Sequence, residues 1–251
     1  MKKKNKKVKH IKNRKTTIPK SENRVPSGIN ELDAVMEGGF ERESVTLVAG
    51  SAGSGKSIFS AQFIYNGIVK YNEYGLYICF EEKKENFFRH MAQFGWDLEK
   101  LEKEKKLVFL EYTPEQVKKM IEEGGGIVES ILSKNKVQRL VIDSITAFTL
   151  LFKDEVSKKE AALSLFELLR NWKVTSIITG EVDEEDIERQ KTGELQFEAD
   201  AVMLLYFIKE QNIRKRALEI LKMRGTKHAK RIFPMEITNK GVEISQSGAV
   251  F

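Results

Sequence analysis

Residues 50–57 read Gly-Ser-Ala-Gly-Ser-Gly-Lys-Ser and match the pattern G-x-x-x-x-G-K-[ST] at every fixed position. Each residue type answers a physical need. The glycines Gly50, Gly53 and Gly55 let the backbone wrap closely, so that successive N–H groups, including those of Ser51, Ala52 and Ser54, can point at phosphate oxygens. Lys56 adds a point charge for the β- and γ-phosphates, and the Ser57 hydroxyl suits Mg²⁺. The flanks agree with this reading. Residues 44–49 (Ser-Val-Thr-Leu-Val-Ala) suit a buried parallel strand. Residues 58–69 carry Phe59, Phe63 and Ile64 at helical spacing, so a helix N-terminus faces the same anion.

Composition narrows the class. Of the 251 residues 41% are hydrophobic, enough for a packed core. The single cysteine, Cys79, lies in the apolar run Tyr77-Ile78-Cys79-Phe80 and reads as a buried strand thiol. One cysteine excludes a disulfide framework and a cysteine metal cluster. No N-terminal apolar segment has signal-peptide form, and runs such as 201–208 are too short to span a membrane. A soluble, cytoplasmic protein is expected.

The net charge of +6 is unevenly placed. Residues 1–20 hold nine lysines, one arginine and no acid, which leaves about −4 on the remainder. Low in apolar residues, 1–20 is expected to be a disordered basic tail ahead of a domain over 21–251. Two readings of the tail stay open: a solubilising segment, or an anchor for nucleic acid or another polyanion.

The remaining chain alternates strand and helix. Ser27 is a candidate cap for a helix with Leu32, Val35 and Met36 as its stripe, stopped by Gly38-Gly39. Residues 75–80 form a second buried strand that ends in Glu81-Glu82, where ligands bind in α/β sheets. A helix over 85–94 follows, with Phe87, Phe88 and Met91 read as core. Residues 107–110 are a third strand, and Pro114 opens a helix containing Val117, Met120 and Ile121. Gly124-Gly125-Gly126 marks a bend before helical spacing resumes over 127–132. Residues 139–144 are a β-branched strand presenting Asp143, the carboxylate expected to face Mg²⁺ downstream of such a loop.

An amphipathic helix over 158–172 turns Ala162, Leu165, Phe166 and Leu169 inward. A strand over 174–179 ends near Glu181. There Thr179 or Glu181 is either a γ-phosphate sensor or part of a plain strand end. Residues 182–197 read as a polar loop. Strands over 201–207, 216–223, 232–237 and 242–244 close the chain. The expected fold class is therefore α/β, a P-loop NTPase with a mostly parallel sheet flanked by helices and C-terminal antiparallel strands. No internal repeat is visible, so one nucleotide-binding unit is expected.

Four segments resemble the KaiC-like ATPases of the RecA superfamily, over roughly residues 24–244. They are Ser27-Gly28-Ile29 with Leu32-Asp33 and Gly38-Gly39; the P-loop; Phe80-Glu81-Glu82; and Leu221-Lys222-Met223-Arg224-Gly225-Thr226 with His228. The resemblance implies a RecA-like fold and Mg-dependent ATP hydrolysis in a regulatory role. Glu81 is then the carboxylate that orients the attacking water, with Glu82 assisting. Lys222 and Arg224, joined by His228, are implied to enter a neighbouring subunit's site, which makes a homo-oligomer, a hexameric ring, the expected assembly. Glu31, Glu37 and the text of 183–197 depart from the family pattern. With one unit, clock function and autophosphorylation do not transfer. The alternatives are a DNA-binding recombinase paralogue and a nucleotide-gated binding module with little turnover. The basic tail favours the first. The absence of Phe before Phe40, and hence of a Phe-x-x-Ala hook, weighs against it.

Overall fold

The apolar runs and the turn glycines dictate alternate strands and helices, and the computed structural model describes them over residues 23–149, 151–182 and 195–247. The expected tail, 1–20, and residues 183–194 of the expected polar loop lie outside the described residues. The strands are β1 (Arg24–Val25), β2 (Phe40–Glu41), β3 (Val45–Gly50), β4 (Gly75–Cys79), β5 (Leu107–Glu111), β6 (Arg139–Asp143), β7 (Thr175–Glu181), β8 (Ala201–Glu210), β9 (Ile213–Met223), β10 (Ile232–Thr238) and β11 (Gly241–Ile244). The helices are α1 (Asn30–Val35), α2 (Lys56–Tyr71), α3 (Lys84–Ala92), α4 (Leu98–Lys103), α5 (Pro114–Glu122), α6 (Gly126–Asn135), α7 (Ile145–Thr149), α8 (Glu155–Asn171) and α9 (Leu195–Glu198).

Nine strands form one sheet in the order β11-β10-β9-β8-β3-β7-β6-β4-β5, while β1 and β2 pair separately. From β5 to β8 all neighbours are parallel, and β9, β10 and β11 add an antiparallel extension. The mostly parallel α/β architecture with C-terminal antiparallel strands is as the sequence predicts. Parallel strands buried on both faces read as continuous apolar runs, and β3, β4 and β6 are buried at every position.

The two-residue side-chain period sorts each strand between two cores. Tyr77 and Cys79 of β4 join Val48, the α2 residues Phe59, Phe63 and Ile64, and Phe87 of α3 on one face. Leu76 and Ile78 join Val45, Leu47 and Ala49 with α5–α8 on the other. Cys79 is buried as a free thiol, and burial pushes it up to about 11. Phe87 and Met91 are core and Phe88 packs against it, as expected; Ala162, Leu165, Phe166 and Leu169 are buried under α8.

Local chemistry corrects some boundaries. Ser27 does not cap α1: the N-cap is Ile29, without a side-chain cap. Instead the buried Asp33 carboxylate reaches back and accepts the N–H groups of Ser27 (2.7 Å) and Gly28 (3.3 Å). Gly39 ends this segment at φ +125°, and an added Cβ would lie 2.3 Å from the Val25 carbonyl, so β1 and β2 can meet only around glycine. Helix α5 has both halves of a capping box, Thr113 with Gln116. The glycine triplet separates two helices: Gly124 and Gly125 have positive φ, and their N–H groups close on Ile121 and Met120 carbonyls. The expected loop over 182–197 is helical at its end, in α9. Arg170, Lys222 and Arg224 gather on the α9 carbonyls, where cations complement a helix C-terminus.

Candidate active site

Strand β3, the loop and α2 together build an anion cradle at the carboxyl end of the sheet. Gly53 and Gly55 hold φ of +80° and +104°, and neither can take a side chain without strain. Gly55 is the N-cap of α2, with no side-chain cap and no acid in the first turn. The first intrahelical bond runs from the Phe59 N–H to the Gly55 carbonyl (2.9 Å), so the earlier N–H groups point into the loop. Lys56 is only 8% exposed. Its ammonium donates to the carbonyls of Gly50 (2.9 Å) and Ser51 (3.1 Å). Burial lowers its pKa, and the charges of Glu181, Asp143 and Glu81 oppose that fall. Ser57 lies one residue into α2, half-buried, and Ser54 is buried in the loop. These donors and glycines fit a polyphosphate.

The carboxylates come from neighbouring strands. Asp143 ends β6 and is 6% exposed. Its Oδ2 accepts from the Tyr77 hydroxyl (2.7 Å) and its Oδ1 from the Thr179 hydroxyl. Thr179 is thus bound to Asp143, whereas Glu181 is exposed with its Oε1 3.9 Å from the Lys56 ammonium. Glu81 follows β4, exposed, and accepts from the Ser144 hydroxyl. Glu82 pairs with His90 of α3 at 2.8 Å. Lys56 thus feels the charges of Glu181, Asp143 and Glu81, while Glu82 is taken up by His90.

Lys222 and Arg224 lie far from their own loop. The Arg224 N–H bonds the Asp200 carbonyl, whose N–H in turn bonds Val45, at the start of β3. Gly50 is five residues along that strand, roughly 17 Å away at about 3.3 Å per residue. Lys222 donates to the carbonyls of Gln196 (2.9 Å) and Phe197 (3.3 Å); Arg224 donates to Asp200 (3.3 Å) and Phe197 (2.9 Å). His228 follows β9, with its Nδ1 3.0 Å from the Ala229 carbonyl, in a segment that Arg24 holds through Thr226 (2.7 Å).

Sequence reasoning missed three neighbours of the loop. Tyr77 and Ser144 reach the carboxylates. Arg216 of β9 donates to the Gly53 carbonyl (3.0 Å) while stacking 4.3 Å from the Phe207 ring. The one legible signal was a hydroxyl in the apolar run of β4. For Arg216 there was none, because only the β8–β9 register carries it to the loop.

The family described as ATPase: KaiC matches residues 25–249. Circadian clock oscillator protein KaiC of Parathermosynechococcus lividus is 34% identical over 239 residues, covering 93% of this chain and 43% of that protein. KaiC of Synechococcus elongatus is 35% identical over 231 residues, 88% of this chain and 44% of that protein. The chain thus spans about half the length of these relatives. A crystal structure of a KaiC-like protein from the archaeon Pyrococcus horikoshii superposes with TM-score 0.78 and 33% identity, over 88% of this chain and 98% of that one. No helix among the described residues is long and apolar enough to cross a membrane. The P-loop, the sheet order and the matches over nearly the whole described domain agree: this chain belongs to the family of KaiC ATPases.

Proposed function

We propose that this chain binds Mg·ATP in the P-loop and hydrolyses it slowly, in a regulatory role, with each site completed by a neighbouring subunit of a hexameric ring. The observation that carries the reading is the division of charge. Lys56, Asp143 and Glu81 converge on one end of the sheet, while the cations Lys222 and Arg224 stand at the other end, out of reach of their own loop. In this reading residues 50–57 cradle the phosphates. No group of three or more potential ligand side chains occurs among the described residues. Ser57 and Asp143, with the nucleotide's own oxygens, would hold a divalent cation. The ion supplies charge neutralisation on the transferring phosphoryl group. Glu81 orients the water, and Lys222, Arg224 and His228 act across the interface.

Lys56→Ala is expected to weaken ATP binding by roughly 10–10²-fold, the loss of one charge-assisted donor, and to stop hydrolysis. Unchanged affinity in equilibrium binding would overturn the assignment. The interface is tested by mixing Lys56→Ala with Arg224→Ala. Each alone is expected to be inactive. A statistical mixture pairs an intact loop with an intact Arg224 at about a quarter of its interfaces, and that share of wild-type turnover should return. No recovery, with mixing confirmed by mass, excludes the trans geometry. The same assays with single-stranded DNA address the basic tail: DNA-driven assembly and turnover would establish the recombinase reading instead.

A further inference from the structure

We propose that Tyr77 is a positioning residue for Asp143, acting with Thr179 to fix the carboxylate that receives the divalent cation; this rests on the metal assignment proposed above. The geometry begins in the register. Cys79 of β4 lies beside Asp143 of β6, and Tyr77 lies beside Val141, two residues earlier on the same face. The tyrosine ring is 1% exposed and leans along the sheet to bring its hydroxyl 2.7 Å from Asp143 Oδ2. It cannot swing away. Phe109 stacks on it at 5.4 Å with the planes 7° apart, and Phe87 tilts against it at 4.7 Å.

The other oxygen of Asp143 is held from the opposite strand. Thr179 of β7, fully buried, donates to Oδ1. A carboxylate offers about four lone-pair sites on two oxygens. With one site on each oxygen taken by a neutral donor on a rigid strand, both rotation and tilt of the carboxylate are set, and the remaining lone pairs are left for a ligand. Donors behind a metal ligand fix its orientation in this way. Packing alone does not require the phenol oxygen, because a phenylalanine ring would make the same contacts with Phe87 and Phe109. The hydroxyl has Asp143 as its partner, and the rings packed on the tyrosine, Phe87 and Phe109, are apolar.

The test compares ATP dissociation constants in excess Mg²⁺ and in EDTA, read with a fluorescent ATP analogue on the full chain. The ratio of the two isolates the metal's contribution, and general damage to the site moves both constants together. Asp143→Asn should lose most of that ratio. Tyr77→Phe should lower it roughly tenfold with the EDTA constant unchanged. Thr179→Val should do the same, and it carries the test should Tyr77→Phe not fold. Phe109→Leu opens the ring cage but keeps the hydroxyl. It should lower the melting temperature and reduce the ratio by less than Tyr77→Phe does. A wild-type ratio in folded Tyr77→Phe, with the ratio lost in Asp143→Asn, overturns the role of the tyrosine alone. A wild-type ratio in Asp143→Asn overturns the metal assignment and this inference with it.

Discussion

Glu81→Gln is expected to keep ATP bound within about threefold of wild type while hydrolysis falls by roughly 10²–10⁴-fold, the range for loss of a positioned general base. Glutamine keeps the volume and the oxygen that accepts from Ser144, but it cannot take a proton. The placement supports the contrast. Glu81 stands at the carboxyl end of β4, beside the strand that carries Asp143, and its charge is felt by Lys56. Single-turnover phosphate release beside equilibrium binding separates the two effects. Glu82→Gln serves as the comparison. Glu82 is paired with His90 at the surface, so its loss should change turnover by no more than about fivefold, the scale of an exposed ion pair. Wild-type turnover in Glu81→Gln would move the base elsewhere, and a large loss in Glu82→Gln would identify where.

The second large effect is on stability. Arg139→Ala is expected to cost about 3–5 kcal/mol, the usual penalty for breaking one side of a buried pair. Arg139 opens β6 and is 0% exposed. Its Nε donates to Glu73 at 2.5 Å, and its Nη1 donates to the carbonyls of Pro26 (2.8 Å) and Phe63 (2.9 Å). The guanidinium also stacks 4.4 Å from the Phe63 ring. Burial lowers the arginine's pKa while Glu73 opposes that shift, so the pair stands only as a unit. One residue thereby ties the start of β6 to α2 and to the segment entering α1. Gly67 exists for this contact: a Cβ there would lie 2.2 Å from Arg139 Nε. Gly67→Ala alone should therefore destabilise strongly, and much less in an Arg139→Ala background, because the clashing group is gone. Urea unfolding of the four proteins closes the cycle. Additive losses would show that Gly67 acts through something other than Arg139.

Much of the fold is legible in the sequence. A glycine loop between an apolar strand and a helix leaves little choice of local structure, because the positive φ values of Gly53 and Gly55 and the start of α2 follow from residues adjacent in the chain. Period-two and period-3.6 patterns then place Cys79, Phe87, Leu165 and Leu169 in the core. They do so because burial is set by local spacing once an element forms. Boundaries moved where side chains competed for backbone groups. Ser27 accepts the Ile29 N–H (3.1 Å) ahead of the helix while Asp33 reaches back to the N–H groups of Ser27 and Gly28, and Arg170, Lys222 and Arg224 stabilise a turn of helix at the end of a stretch read as loop.

The glycine loop between its strand and helix, the apolar strands that end near Glu81 and Asp143, the mostly parallel α/β class and the family were legible in the sequence, because each of these is written in residues that are neighbours along the chain or in a repeating pattern; the short elements β1, β2, α4 and α7 were not. Only the tertiary structure decided which of two adjacent acids faces Lys56, that Tyr77 and Thr179 hold Asp143, that Arg216 reaches the loop, and that Lys222 and Arg224 stand at the far end of the sheet from it. Those facts depend on the parallel register of β4, β6 and β7 and on the antiparallel pairing of β8 with β9. Strand pairing joins residues tens to more than a hundred positions apart, and no local spacing encodes which will meet.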